Sequence, residues 1–337
     1  MINKQYRMLV ITDHLTHKEG ESIYPLLRTM AKNPACSSIE VASRGNLKNQ
    51  GFFSRHDSTK VVSSLVDDNF TYQDNGEQFT NASLESDIKD FDVLFLRIDR
   101  PVTNSFLDFL ITHVPQDKII NKPLGIKQTG SKEFLLNFRD ICPPIRLCQN
   151  IDEILDLYHN FPIVLKPLES YGGKGILRII DNIVWEKDKH YPLNEYKAIL
   201  QKNLETNGNY LAMKYLKNVS QGDKRLIVVN GKIMGATLRL PKEGSWICNL
   251  SMGGVSSFAE PDEQEIKIAE TISPSIVEKG VVIFGFDTLV DDDGNRVLSE
   301  INTLNVGGLL QAEMHSGKPV IQESSNLIWS YICENIT

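Results

Sequence analysis

Cysteine is scarce and unpatterned in this chain. Five occur in 337 residues, Cys36, Cys142, Cys148, Cys248 and Cys333. The number is odd and no C-x-x-C pair exists, so neither a disulfide framework nor a zinc site is indicated, and a reducing cytoplasm fits best. Long apolar runs are also missing. None approaches membrane-spanning length, and the opening Met1-Ile-Asn-Lys-Gln-Tyr-Arg7 has no apolar core of signal-peptide type behind it. A soluble, intracellular protein with no membrane partner is expected. Positive charge is in short supply, with 36 Lys and Arg against 43 Asp and Glu, a net −7. No long basic run appears, which argues against nucleic acid as the main partner. The histidines, His14, His17, His56, His113, His159, His190 and His315, show no ligand spacing, and most are expected to face solvent. No Ser/His/Asp or Cys/His set suggests a nucleophile.

The pattern that is present reads as α/β followed by α+β, with two or three domains allowed by the length. Strands are expected at 7–12, 39–43, 92–98 and 118–121, with helices at 21–32 and 104–113 between them. This β-α alternation implies an open α/β domain over residues 1–121. The stretch 45–81 is polar and weakly patterned. A small module over 122–210 follows, with helices at 131–138 and 151–159, a strand at 163–166, a glycine hairpin and a strand at 176–180. A larger α+β region fills 211–337. Its long helix, 261–279, is expected to kink or end early at Pro274, and a helix at 322–335 closes the chain.

The strongest chemical signal is an acidic hairpin. Gly285-Phe-Asp287 and Glu300-Ile-Asn302 lie on two strands joined by Asp293-Gly294, a preferred pair for a two-residue turn. That turn sets Asp287 opposite Glu300, with Asn302 on the same face. Like charges facing each other are destabilising, so a cation is expected between them. Two carboxylates and an amide oxygen suit Mg²⁺ carrying phosphates. An EF-hand is excluded, because its first ligand would be Leu289 and its flanks are β-patterned. A solvated acidic hairpin accounts for Asp291 to Asp293 but poorly for Asp287 and Glu300, which sit inside apolar strands.

Phosphate chemistry recurs upstream. Ser170-Tyr171-Gly172-Gly173-Lys174-Gly175-Ile176 follows a strand ending in Lys166-Pro167. It is neither a Walker A loop nor a dinucleotide fingerprint. An ordinary glycine hairpin would also fit, but a lysine at the end of an apolar strand is well placed to hold phosphate as a point charge. Lys132 offers a second charge, or is a solvated helical lysine. Asn230-Gly231 marks another hairpin, in which Arg225 is expected opposite Ala236 and Arg239 at the same end. Arginines there suit carboxylate or phosphate, or form surface salt bridges.

Taken in order, these pieces resemble the ATP-grasp superfamily, and within it bacterial glutathione synthetase. The resemblance rests on Arg97-Ile-Asp-Arg-Pro101, Asn121-Lys-Pro123, Lys132, Lys166-Pro-Leu168 with Tyr171-Gly-Gly-Lys-Gly-Ile176, Tyr215-Leu216 with Gly222-Asp-Lys-Arg225, Arg239-Leu-Pro241, Asn249-Leu-Ser-Met-Gly-Gly254, Gly285-Phe-Asp287 and Glu300-Ile-Asn302. It implies an ATP-grasp fold with an N-terminal pre-ATP-grasp domain, a small lid module and a C-terminal ATP-binding domain. It implies that Lys132, Lys166, Tyr171, Gly172, Gly173 and Gly175 hold ATP phosphates. Lys214, Tyr215 and Leu216 would then meet adenine, with Asp223 nearby. Asp287, Glu300 and Asn302 would hold Mg²⁺ (or Mn²⁺), and Arg225, Arg239 and Asn249 would line the reacting groups. The family usually continues past Glu-Ile-Asn with a proline turn and an arginine. Here the run is Thr303-Leu-Asn-Val-Gly-Gly308-Leu-Leu-Gln311, so Asn305, Gly307 and Gly308 are the candidate substrate residues.

The implied activity is ATP-dependent carboxylate–amine ligation through an acyl phosphate, with small peptide or amino-acid substrates. For a glutathione synthetase these are γ-glutamylcysteine and glycine. A lid formed by 171–176 and the loop around Trp246 would exclude water. Two alternatives stand beside it: a ligase joining a different pair, and a non-catalytic nucleotide-binding regulator. A homo-oligomer is expected by analogy alone.

Overall fold

Alternation of β-branched and apolar residues builds three sheets in succession. The computed structural model describes residues 4–170, 172–242 and 255–336. The first sheet has six strands, in the order Leu84–Asp87, Lys60–Leu65, Cys36–Ser43, Tyr6–Thr12, Val93–Leu96, Ile119–Ile120. The last four run parallel, and the first two are added antiparallel at one edge. The polar stretch 45–81 therefore supplies a strand of this sheet, Lys60–Leu65, together with short helical turns. Helices Ile23–Ala31 and Val320–Asn335 cover one face, and Asn104–His113 the other. Both faces being buried explains why Val93–Leu96 is continuously apolar.

The second sheet is antiparallel, in the order Lys189–Pro192, Ile183–Glu186, Leu177–Ile180, Ile163–Pro167, Tyr210–Lys214, Ile145–Cys148. Tyr210–Lys214 pairs within it, so this sheet continues past the boundary expected at 210. The third sheet is antiparallel too, in the order Val255–Ala259, Lys232–Leu240, Asp223–Val229, Ile283–Val290, Arg296–Asn302. Helix Glu263–Glu278 packs on it together with the 3₁₀ segment Lys132–Ile141, whose N-cap is Ser131. That segment packs in a core formed by the third sheet and by Leu211 and Met213 of the second.

The long helix runs through Pro274 instead of ending there. Ile268, Ala269, Ile272 and Ile276 are buried on either side of the proline. Pro274 and Glu270 are both exposed, so the carbonyl that loses its N–H partner is left to water. A capping box between Asp262 and Glu265 starts the helix.

Asn121 joins the first sheet to the third. Its amide accepts from the N–H groups of Val282 (2.8 Å) and Ile283 (3.0 Å), and donates to the carbonyls of Ile283 (2.7 Å) and Thr303 (2.9 Å). No helix of the described residues is long and apolar enough to cross a membrane, and the four described cysteines are unpaired.

Two histidines expected in solvent are instead packed into the first domain. His14 is buried and stacks on Phe79, with ring centroids 4.9 Å apart. His17 bridges two hydroxyls. Thr12 spends its proton on the Arg97 carbonyl (2.8 Å), so its oxygen accepts from His17 Nε2 (2.8 Å), and Tyr24 donates to Nδ1 (2.8 Å). Burial pushes the His17 imidazole down to about 4, against a smaller upward pull from Asp99. The folded protein keeps this ring neutral where an unfolded chain protonates it, from an ordinary value near 6.5 downward. The unfolded state then binds more protons, so stability falls as pH drops from about 6.5 to about 4. Urea unfolding should show wild type losing roughly 3 kcal/mol more than His17→Gln across that window. Equal losses would mean that the ring is already charged in the folded protein.

Candidate functional site

The alternation of Gly222-Asp-Lys-Arg225 separates its charges onto two faces of the third sheet. Lys224 points to the helix face. There it meets Glu265 at 2.6 Å, a carboxylate that is fully buried and also accepts from Thr288 Oγ1 (2.6 Å). Asp223 and Arg225 point to the opposite face and meet Asp287 and Arg239 there.

On that face four charges interlock. Arg225 grips Asp287 with two hydrogen bonds of 2.7 Å, Nε to Oδ1 and Nη2 to Oδ2. Arg239 grips Asp223 in the same way, at 2.6 and 2.7 Å, and donates from Nη2 to Asp287 Oδ2 at 2.7 Å. Burial raises the Asp287 carboxyl, but Arg225 and then Arg239 overcome it and hold the group well below the usual carboxylate range. Asp223 has only a share of one arginine. Burial, then the charge of Asp287, pushes it up to about 6 against the opposing pull of Arg239. The Arg225 side chain is 29 % exposed against 5 % for Arg239, so Arg225 is the more open of the two.

The expected register holds at the site although the turn differs. Asp287 pairs with Glu300, and Gly285 with Asn302. The connection is not the two-residue turn expected from Asp293-Gly294. Asp291 N–H bonds the Asn295 carbonyl at 2.8 Å, and only Gly294 takes positive φ, at 91°. This is a three-residue connection ending in a left-handed glycine. It shifts the register by one, so that Thr288 faces Leu298, and a bulge at Ser299 shifts it back.

The other hairpin behaves in the reverse way. Asn230 (φ 46°) and Gly231 (φ 80°) form the expected turn with both residues left-handed. A bulge at Met234 then moves Arg225 from the expected Ala236 to Thr237, and sets Arg239 opposite Asp223.

Two arginines stand beside Asp287 and offset its charge. Glu300 has no ion pair within 4.0 Å among the described residues, and Asn302 Nδ2 is enclosed without a hydrogen-bond partner. Lys166 is buried at the end of Ile163–Pro167 and donates to the Ser299 bulge carbonyl at 3.0 Å. Lys132 is buried and bonds the Ser170 carbonyl. Burial pushes its ammonium down to about 8, with Glu300 opposing and Lys166 reinforcing the shift. Gly172, Gly173 and Gly175 all hold positive φ, between 65° and 77°, a backbone that side chains strain. Tyr171 and Asn249, and Trp246 of the expected lid, lie outside the described residues.

A cleft opens between the second and third sheets. Val164, Ile176, Met213, Leu216 and Leu289 line it with apolar surface, together with Lys166, Asp223, Asp287 and Glu300. Lys214 and Tyr215 line it, but their N–H groups are already bonded to Pro144 and Pro162 carbonyls (2.9 and 2.8 Å). The Lys214 ammonium pairs with Asp292 at 2.8 Å. Apolar side chains beside a buried lysine and carboxylates suit a base with a phosphate tail. A wider recess, lined by Arg100, Ser131, Glu169, Ser170, Lys174 and Leu304, adjoins the glycine loop.

The three expected substrate residues spread out along one segment. Asn305 donates to Asp99 Oδ1 (2.6 Å), and Gly307 is exposed. Gly308 (φ 106°) caps helix Leu309–Ser316 and packs on Ile227, where a Cβ would come within 2.8 Å. Arg97, Glu21 and Asp99 were not singled out as site residues. Arg97 closes an apolar strand, as Lys166 does, and Arg97 and Asp99 both lie in the Arg97–Pro101 segment that resembles the family.

Residues 131–317 match the family described as prokaryotic glutathione synthetase, ATP-grasp domain. The glutathione synthetase of Brucella melitensis is 27% identical over 264 residues, which is 76% of this chain and 80% of the relative. That of Prochlorococcus marinus subsp. pastoris is 29% identical over 243 residues, 69% of this chain and 73% of the relative. Among solved structures, D-cycloserine synthetase DcsG superposes with a TM-score of 0.63 at 12% identity, covering 98% of this chain and 100% of that one. D-alanine–D-alanine ligase from Bacillus anthracis gives 0.53 at 14%, covering 98% of each. These structural likenesses concern the fold, which is that of the ATP-grasp ligases. With the family match spanning more than half of its length, the chain belongs to the prokaryotic glutathione synthetase ATP-grasp family.

Proposed function

We propose that this protein is an ATP-dependent ligase that joins γ-glutamylcysteine to glycine, forming glutathione, ADP and phosphate. The observation that carries this reading is the charge arrangement around Asp287, in a chain whose relatives are named glutathione synthetases. The cysteinyl carboxylate takes the γ-phosphoryl group of ATP and becomes an acyl phosphate. The glycine amine then attacks the carbonyl carbon, and phosphate leaves with the former carboxylate oxygen.

The main obstacle is bringing a carboxylate up to a triphosphate. In this reading Lys132 and Lys166 hold phosphate oxygens, and the glycine loop closes over them with its N–H groups. Arg225, the more open arginine, faces the reacting group, and Arg239 keeps Asp287 oriented. Lys214, Tyr215 and Leu216 border the adenine, and Asp223 holds Arg239 in place. Tyr171 and Asn249 complete the phosphate and reacting-group contacts. Asn305, Gly307 and Gly308 belong to the substrate side.

The donor set fits Mg²⁺. Among the described residues no cluster of three or more His, Cys, Asp or Glu could hold a metal by itself. Two carboxylates and an amide, with phosphates completing the shell, are what Mg²⁺ ordinarily takes. Asp287, Glu300 and Asn302 would hold the ion, which neutralises phosphate charge as a Lewis acid. The cytoplasm is the proposed location, and a homo-oligomer the proposed assembly.

A second reading is favoured by one observation. The run 303–311 lacks the proline and arginine that usually follow Glu-Ile-Asn in this family, so a different amine or peptide acceptor is the alternative. Incubation with γ-glutamylcysteine, glycine, ATP and Mg²⁺ followed by mass analysis should yield glutathione. ADP release that requires another acceptor, with no glutathione, would establish the second reading.

Glu300→Gln separates metal binding from folding. Because Glu300 holds no ion pair, turnover at limiting Mg²⁺ should fall by at least about 100-fold, while Tm stays within about 3 °C. Unchanged turnover would remove Glu300 from the metal site. Asp287→Asn should abolish turnover as well, but it also strips charge from two buried arginines. Its unfolding free energy should drop by about 3–5 kcal/mol, read from urea melts.

A further inference from the structure

Arg97 is 3 % exposed, and its guanidinium makes a single hydrogen bond among the described residues, from Nη2 to the Val306 carbonyl at 2.8 Å. Its Nε is enclosed with no acceptor, and no carboxylate lies within 4.0 Å of it. Enclosing a guanidinium without an anion is costly, and arginine at such a place is suited to bind a planar carboxylate. Burial pushes its pKa down to about 10, with Asp99 and then Glu21 opposing, so the group stays charged.

Three successive residues after the metal strand contact this cluster. Asn305 donates to Asp99, Val306 accepts from Arg97, and Gly307 lies beneath Glu21, where a Cβ would be 3.8 Å from Oε2. Glu21, Asp99, Asn305 and His17 are half-buried rather than sealed, and Gly307 is exposed, so the cluster lies just beneath the surface. Burial, and then the charge of Asp99, raise the Glu21 carboxyl. Two carboxylates placed together in this way favour a cation between them. His17 cannot be that cation, because it is neutral and both of its nitrogens are engaged.

We propose that the recess between Arg97, Glu21, Asp99 and Asn305 receives the zwitterionic α-amino-acid end of the carboxylate substrate, with its α-carboxylate on Arg97 and its α-ammonium between Glu21 and Asp99. The proposal rests on the ligase reading and names the part of the substrate remote from the reacting carboxylate. A buried cation beside two carboxylates matches that end of a γ-glutamyl compound in charge and order. Val306 lies four residues beyond Asn302, so one short segment spans from this recess to the metal strand. Gly285, the residue paired with Asn302, packs directly on the Val306 side chain.

The test is calorimetric binding of γ-glutamylcysteine and two analogues, glutarylcysteine (no α-ammonium) and 4-aminobutyrylcysteine (no α-carboxylate), to the whole protein. Wild type should bind each analogue at least about 30-fold more weakly than the parent. Glu21→Gln should lose discrimination against glutarylcysteine but keep it against 4-aminobutyrylcysteine. Arg97→Lys should do the reverse, since an ammonium lacks the planar fork. Should Arg97→Lys fail to fold, Glu21→Gln and Asp99→Asn still decide. Equal binding of all three compounds, no binding by wild type, or variants that weaken all three alike would overturn the proposal and leave Arg97 a brace for Val306. Failure of the ligase reading has a different signature: γ-glutamylcysteine binds with the stated discrimination, yet no glutathione forms with glycine.

Discussion

The third sheet is organised around a neutral set of four buried charges. Asp223, Arg225, Arg239 and Asp287 cancel one another through five hydrogen bonds of 2.6–2.7 Å. Removing one member leaves its partner desolvated and unmatched, which costs more than the intact set contributes. The set also constrains register. Lys224, between Asp223 and Arg225, has its own buried partner, Glu265, on the other face. A slip of one residue would send Lys224 to the cleft and turn an aspartate and an arginine toward the apolar helix Glu263–Glu278. The strand is therefore locked by charge on both faces at once, before any phosphate is considered.

That lock explains why the site tolerates bulges. The bulge at Ser299 restores Asp287 to Glu300 after the turn has displaced the register, and it turns the Ser299 carbonyl toward Lys166. The same residue's hydroxyl bonds the Asp287 carbonyl at 3.1 Å. One extra residue thus aligns Asp287 with Glu300 and anchors Lys166 from a different sheet. At Met234 a second bulge brings Arg239 opposite Asp223, without which Arg239 would not bridge the two aspartates. Bulges placed beside sites re-aim side chains, and both do so here.

Much of this was legible in local residue patterns. Asp287 inside an apolar strand, Lys166 at a strand end, and glycines that needed left-handed backbone each carried their own signal. The facing of Asp287 and Glu300 was anticipated from the wrong turn, and a bulge with no local sequence marker compensated for it. Arg225 was assigned the wrong partner for the same reason, since a bulge is decided by contacts across the sheet and not by the strand that contains it. Histidines 14 and 17 look solvated by composition. His14 is buried and His17 half-buried, because Phe79, Tyr24 and Thr12 pack against them. Pro274 marks a helix end by propensity, yet core burial on both sides carries the helix through it.

The joint at Asn121 bears on how the first and third sheets are held together. A single side-chain amide ties the end of the first sheet to the start of strand Ile283–Val290 and to Thr303. Its four hydrogen bonds leave the amide saturated, so the geometry is rigid at that point. Thr303 begins the segment that reaches Asn305, Val306 and Gly307. The edge of the metal strand and the recess around Arg97 are therefore held in a fixed relation by one residue outside both. A change in 303–308 that reshapes the substrate side must respect the Thr303 and Val306 carbonyl bonds, or it displaces Asn302 as well. Substitution at Asn305 and Gly307 leaves those two backbone bonds intact, so under the proposed reading these are the positions where substrate preference can change with least disturbance to Asn302.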